Sequence, residues 1–381
     1  MRPWCLLGCA ISDIRQPATA KHGVAELVSI VAALPQESRE LFTRIFDVDR
    51  YTACLSIPDE MHPWIVQQFG SLEAVRVQKL VRVTNRITGD GTLFNELRAY
   101  RPMEESERLK MEAVIIDGSK DDPLNEPEKF TPEDTFGRIR GKYSITAANV
   151  AKYDELHAIV IFDHHNPLHF DRERIIDYLD TGWRWSRRAH QDEPEAKYYL
   201  FIWNCLWKAG ASLHHGHAQV MLTKNRHYPK IEALRQAAEG YRRKYGSNYF
   251  DDLYEAHRMV GCGFDIDGIR IMAHLTPIKE REIFMLAPEF SLPLEERVFE
   301  ILSCLRDSFH VLSFNLALIT PPLAPTEESW EGFPVMARIV DRGDPRSRAS
   351  DVAAMELYAA SVVASDPLQM GRLLKGAVFP G

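Results

Sequence analysis

The chain lacks three things, and each lack excludes a class. Over its 381 residues no apolar run approaches the roughly 20 residues that a bilayer-spanning helix needs. The opening MRPWCLLGC carries a lipoprotein-like LLGC, but the apolar stretch before Cys9 is far too short for a signal peptide. There is no C-x-x-C pair: the six cysteines stand apart at Cys5, Cys9, Cys54, Cys205, Cys262 and Cys304, which points to free thiols in a reducing compartment. There is no sustained basic run, and the net charge is −8, from 46 Lys and Arg against 54 Asp and Glu. That argues against a nucleic-acid or anionic-membrane surface but not against a pocket for one nucleotide. Glycine (21) and proline (22) are too few for a fibrous or low-complexity chain. A soluble, cytoplasmic, globular protein with two or three domains' worth of chain is the expectation.

Residues 1–85 read as mostly helical, with VAELVSIVAAL and AVRVQKLVRVTNR carrying apolar residues compatible with a helix. RITGDGTLFNELRAYRP follows, with turn signals at Gly89-Asp90-Gly91 and a basic pair, Arg98 and Arg101. The charged, proline-dotted stretch DDPLNEPEKFTPED reads as loop. From 141 strands and helices alternate. YSITAANV, HAIVIF, KYYLFIWN and HAQVML are strands around the helix DRERIIDYLDTGWRWSRRAH, and a charged helical stretch runs from about 225 to 258. IRIMAHL, REIFMLA, FNLALIT and FPVMARIV then form a second set of strands around the helix LPLEERVFEILSCLRDSF, the order expected of an internal duplication.

The densest polar cluster is Gly210-Ala-Ser212-Leu-His214-His215-Gly-His217-Ala-Gln219. On a strand over 215–222, alternation would place His215, His217 and Gln219 on one face. A neutral imidazole can attack phosphorus, provided its other nitrogen is held as a donor. The Ser212 hydroxyl, the Gln219 amide and the turn N–H groups at Gly210-Ala211 are suited to phosphate oxygens. A metal site, from the H-x-H spacing, and a satisfied structural cluster are the other two readings of the same residues. His164, His165 and His169 form a second cluster, in FDHHNPLHF, that reads as loop or helix entry.

AGASLHHGHAQ resembles the active-site segment of the histidine-triad superfamily, in the branch of galactose-1-phosphate uridylyltransferase and the dinucleoside-polyphosphate phosphorylases. The branch motif G-x-S-x-x-H-x-H-x-Q matches Gly210, Ser212, His215, His217 and Gln219. TGDGTLFNELRAYRP, ITAANVAKYDELHAIVIFDHHNP and AMELYAASVVASDPLQMGRLLK resemble further family segments in the same order. The resemblance implies a nucleophilic His217, a supporting His215 and substrate contacts from Gln219, Ser212, Gly210 and Asn204. It implies a ribose contact from Asn149 and phosphate contacts from Arg98 and Arg101. It also implies an α+β fold of duplicated histidine-triad-like domains, with antiparallel sheets flanked by helices. A helical N-terminal extension (1–85), a catalytic half (86–240) and a degenerate half (241–381) would make up the chain, and a homodimer is possible.

Two departures bear on metals. The family's zinc-binding C-x-x-C has no counterpart in DDPLNEPEKFTPED, which leaves only His164 or His165, and His215. FPVMARIV lacks the H-x-H that holds a second metal in some uridylyltransferases. The expectation is that the family zinc is absent and no cofactor is required. The resemblance thus implies a nucleotidyltransferase acting by double displacement through a nucleotidyl-histidine, leaning to AMP as the transferred group. Phosphate or a sugar phosphate would be the acceptor, as in a dinucleoside-polyphosphate or nucleotide-sugar phosphorylase or an adenylylsulfate:phosphate adenylyltransferase. A UDP-glucose–hexose-1-phosphate uridylyltransferase is the alternative, and a nucleotide-binding protein or hydrolase is the alternative of another class.

Overall fold

The computed structural model of the chain describes residues 23–99, 122–347 and 350–378. The N-terminal part holds four short helices, α1 (Leu27–Ala33), α2 (Gln36–Ile45), α3 (His62–Phe69) and α4 (Leu72–Arg76). Contrary to the mostly helical expectation for 1–85, it also holds two nine-residue strands, β1 (Phe46–Cys54) and β2 (Val77–Asn85), paired antiparallel. The VRVQKLVRVTNR segment leaves the helix at Arg76 because its valines are β-branched and its later half alternates: Val81, Val83 and Asn85 are buried while Arg82 faces out to Asp49 of β1. With β3 (Gly91–Phe94) and β13 (Ser361–Val363) these strands form a four-stranded sheet in the order β1-β2-β3-β13.

The larger sheet has nine strands among the described residues. They are β4 (Ser144–Ala148), β5 (Leu156–Phe162), β6 (Ala196–Asn204), β7 (His217–Lys224), β8 (Gly263–Ile266), β9 (Ile269–Ala273), β10 (Glu280–Ala287), β11 (Phe314–Ile319) and β12 (Val335–Asp341). Their order is β4-β5-β7-β6-β11-β12-β10-β9-β8, and every described pairing in this sheet is antiparallel. Outward from the β6–β11 seam the order is β6, β7, β5, β4 on one side and β11, β12, β10, β9 on the other. The duplicated halves therefore meet edge to edge and share one sheet. Between β3 and β4 lies the one-turn helix α5 (Pro127–Phe130). The remaining helices are α6 (Arg172–Asp192), α7 (Pro229–Tyr245), α8 (Tyr249–Met259), α9 (Leu292–Asp307), α10 (Ala354–Tyr358) and α11 (Pro367–Val378). No helix among the described residues is long and apolar enough to cross a membrane. The described cysteines Cys54, Cys205, Cys262 and Cys304 are free thiols.

Helix α6 decides which face of the first half stays open. Asp171 caps it by accepting from the Arg174 N–H. Ile175, Tyr178, Leu179, Gly182, Trp185 and Ala189 recur at helical spacing on its buried side. Gly182 permits the close approach: a Cβ there would lie 2.8 Å from the Tyr199 hydroxyl and 3.1 Å from Val220. Tyr199, Phe201, Trp203, Ala218 and Val220 consequently face α6, and the alternate residues of the same strands face away from it.

Beside α6, α9 carries a buried carboxyl with an unpartnered oxygen, Glu295 Oε1. Burial, with Asp180 nearby, pushes its pKa up to about 8. An acid whose folded pKa lies above its unfolded value contributes stability that is full below the unfolded pKa and is lost as pH rises through the folded one. Glu295→Gln, which keeps the neutral shape, is expected to raise the melting temperature above that of the wild-type chain at about pH 9 and to leave it unchanged at about pH 5. An equal effect at both pH values would refute the assignment.

Candidate active site

Strand β7 begins at His217, where the HAQVML strand is expected to start, and His215 precedes it in a bend. Gln219 pairs with Ile159 of β5 and Ile202 of β6, so His217, Gln219, His157 and Asn204 share the face away from α6. His217 is 8% exposed, and its Nδ1 lies 2.8 Å from the His215 carbonyl oxygen. A carbonyl only accepts, so the proton sits on Nδ1 and Nε2 keeps its lone pair. Burial is the main cause that pulls the His217 pKa below its ordinary value, which keeps the ring neutral at pH 7.

His215 contributes through its backbone more than its ring. The ring is turned to Asp122 and to the Phe162 carbonyl, with Nδ1 2.6 Å from Asp122 Oδ2 and Nε2 2.9 Å from Phe162 O. His165 Nδ1 lies 3.0 Å from the same carboxylate oxygen. Asp122, His165 and His215 each bring one ligand atom, all within 4.8 Å of one another. One carboxylate and two imidazoles are a donor set that fits a divalent ion such as zinc. Asp122 stands in DDPLNEPEKFTPED, the stretch that lacks the family's C-x-x-C.

Gln219 has a partner that the motif does not contain. The backbone N–H of Tyr153 donates to His157 Nδ1 over 2.9 Å, so the His157 proton is on Nε2. Nε2 lies 3.0 Å from Gln219 Oε1 and donates to it. That fixes the Gln219 amide with its NH2 turned away from His157. Burial, as the main cause, lowers the His157 pKa and favours this neutral form. Asn149 Oδ1 accepts from the Ala151 N–H, and its Nδ2 lies 3.1 Å from His157 Nε2, a proximity between two donors. Asn149 thus stands beside the row, next to His157.

The remaining expected residues divide. Asn204 lies on the open face at the end of β6 and accepts through Oδ1 from Asn315. Gly210 adopts φ +100 and closes the turn before the motif. The turn N–H groups expected to receive phosphate are already in use: Gly210 donates to Trp207 O and Ala211 to Leu206 O. Ser212 is exposed in the bend. Arg98 is exposed in the short turn Glu96–Ala99 after β3, on the smaller sheet, and is not among the side chains that converge at His217. Arg101 lies outside the described residues. Of the second histidine cluster, His164 Nε2 lies 3.0 Å from His169 Nδ1, while His165 joins Asp122 and His215.

The second half repeats the register with other chemistry. Arg338 of β12 pairs with Phe284 and Ala317 as Gln219 pairs with Ile159 and Ile202. Ala273 pairs with Ile283 as Ala148 pairs with Ala158. Asn149, His157 and Gln219 thus correspond to His274, Glu282 and Arg338, and His217 to Met336. Arg338 donates to the fully buried Glu282 carboxylate at 2.7 Å through Nε, so this guanidinium is committed to an ion pair. Glu282 is buried, yet the Arg338 charge holds its pKa down to about 2.

No family model and no curated relative matches the chain. Solved structures do. An ADP-glucose phosphorylase from Arabidopsis thaliana with bound ADP-glucose aligns at 16% identity and a TM-score of 0.58, over 77% of this chain and 97% of that one. A GalT-like protein from Arabidopsis thaliana aligns at 17% identity and a TM-score of 0.54, over 68% of this chain and 92% of that one. A uridylyltransferase aligns at 16% identity and a TM-score of 0.53, over 65% and 88%. The likeness is one of architecture: the chain has the α+β, GalT-like fold of these proteins, with antiparallel sheets flanked by helices.

Proposed function

We propose that the chain is a nucleotidyltransferase acting by double displacement through a nucleotidyl-histidine on His217. The observation that carries this is the His217 Nδ1–H bond to the His215 carbonyl, which leaves Nε2 unprotonated in a buried, neutral ring. Nε2 attacks the α-phosphorus of a nucleotide donor. A P–N bond forms as the P–O bond to the other half of the donor breaks, and that half leaves as an oxyanion. An oxygen of phosphate or a sugar phosphate then attacks the same phosphorus, the P–N bond breaks and neutral His217 returns. The Gln219 and Asn204 amides donate to the non-bridging oxygens, where charge stabilisation governs phosphoryl-type transfer. Ser212 borders the phosphate and Asn149 the ribose. AMP is the favoured cargo, and the fold neighbours, an ADP-glucose phosphorylase and a uridylyltransferase, support testing both bases. The homodimer belongs to the same proposal and is read by sedimentation.

A divalent ion at Asp122, His165 and His215 would pin the segment whose carbonyl orients His217. The transfer itself needs no metal in this proposal. The test is intact-protein mass spectrometry after brief incubation with ADP-glucose, UDP-glucose, adenylylsulfate or diadenosine tetraphosphate. An acid-labile adenylyl adduct is the expected result, and after chelation, with metal content measured, most of its rate is retained. A uridylyl adduct alone would select the alternative base. Release of free nucleotide with no adduct from any donor would refute the double displacement and indicate a hydrolase. Loss of the adduct on chelation, restored by zinc, would overturn the metal-free chemistry.

A further inference from the structure

We propose that the second half, which has lost the histidine, remains part of the site by setting the amide orientation of Asn204 through Asn315 and Arg342. Arg342 lies just after β12 and binds Asp351 through both Nε and Nη2, at 2.6 and 2.9 Å. Its Nη1 donates to Asn315 Oδ1 over 2.5 Å. A guanidinium has no acceptor, so the Asn315 oxygen must face Arg342. The Asn315 NH2 then faces the other way, where it meets the Ala209 carbonyl at 2.9 Å and Asn204 Oδ1 at 2.7 Å. Ala209 O can only accept, so the same orientation of Asn315 is required from both ends. With its oxygen engaged by a donor, Asn204 must turn its own NH2 away from Asn315, on the face that carries His217 and Gln219.

The same residues hold the backbone that leads into the motif. Asn315 clamps Ala209, directly before the Gly210 turn. Cys205 donates its N–H to Phe314 O and accepts from the Ser313 hydroxyl. Trp207 Nε1 donates to Pro345 O at 2.8 Å. The 204–210 segment is thus anchored from 313–315 and 342–345 of the other half. Asn315 and Arg342 are positioning residues: they act on the phosphate only through Asn204. In its catalytic consequence the inference rests on the proposed function; in its structural content it does not.

Two measurements test it. Neutron diffraction from deuterated crystals locates the amide deuterons whatever the chain catalyses. Asn315 deuterons directed at Asn204 Oδ1 and Ala209 O are the expected result; Asn204 deuterons directed at Asn315 would overturn the relay. The second measurement uses Asn315→Asp, which keeps the shape and the partner of Arg342 but cannot donate to Asn204. Its melting temperature is expected to fall by no more than a few degrees, because the charged contact with Arg342 offsets the lost bond to the Ala209 carbonyl, while the rate of adduct formation falls roughly 100-fold, as for loss of one preorganised donor. Asn204→Leu is expected to show a similar loss, and the double variant no further loss, because both act at one donor. Additive losses, or a wild-type rate in Asn315→Asp, would refute the relay. Should wild-type protein form no adduct with any donor, the proposed function fails and the deuteron positions still decide the relay.

Discussion

Replacing His217 by alanine is expected to remove the covalent adduct altogether and to lower turnover by roughly 10⁴-fold or more, the scale seen when a nucleophile is deleted and binding is left in place. The fold should tolerate the change, since the ring makes one described hydrogen bond, to the His215 carbonyl, and β7 is held on both sides by β5 and β6. The pH dependence is the sharper check. Burial pulls the His217 pKa below its ordinary value, so the ring stays neutral in conditions where free imidazole takes up a proton. The midpoint of the acid limb of adduct formation measured in single turnovers should therefore lie below about 6.5, where an unperturbed histidine would be half protonated. A rate that halves near pH 6.5 would contradict a buried, neutral nucleophile.

Gly216→Ala is expected to be the most damaging single methyl in the site. A Cβ at 216 would lie 2.7 Å from the Phe162 ring, 3.0 Å from the His164 carbonyl oxygen and 3.3 Å from the Pro167 Cα. Two of those neighbours are backbone atoms and the third is a buried ring stacked on Tyr178, so little can yield. Overpacking of this kind costs roughly 1–3 kcal/mol. The effect on activity should exceed that on stability. Gly216 is hydrogen-bonded through its N–H to His165 O and through its carbonyl to Phe162 N. It sits between the carbonyl that orients His217 and His217 itself, and a small shift there misaligns an in-line attack. Thermal denaturation and single-turnover adduct formation check the two parts separately. A variant with wild-type rate at reduced stability would show that the close fit matters only for folding.

The two halves show how one register can carry opposite outcomes. Gln219 and Arg338 occupy the same position in their four-strand units. Gln219 meets a neutral His157 and keeps its amide hydrogens for the open face. Arg338 meets the buried carboxylate of Glu282, and its charge is consumed in an ion pair. Met336 stands where His217 stands in the first unit, and the second unit anchors the 204–210 segment.

Much of this was legible from local sequence, because the signals involved are local. Strand alternation and helical spacing locate β4 to β7, β9 to β12, α6 and α9 to within a few residues, but not β8, α10, β13 or α11; Gly210, Ser212, His215, His217 and Gln219 lie within one ten-residue window. Local pattern alone places the strand that carries His217 and Gln219, and the repeated order of strands and helix in the two halves. Three things were decided only by the tertiary structure. The valine-rich run at 77–85 reads as either helix or strand, and β1 as an antiparallel partner makes it a strand. The turn N–H groups at Gly210 and Ala211 look available until the chain closes on Trp207 and Leu206. The partners that orient the site lie far off along the chain: Asp122 is 93 residues from His215, His157 is 62 from Gln219, and Asn315 is 111 from Asn204. No local pattern marks an aspartate in a proline-dotted loop or an asparagine in an apolar strand. Their roles arise from the sheet order, which brings β5 beside β7 and β11 beside β6 and so decides which donors and acceptors meet.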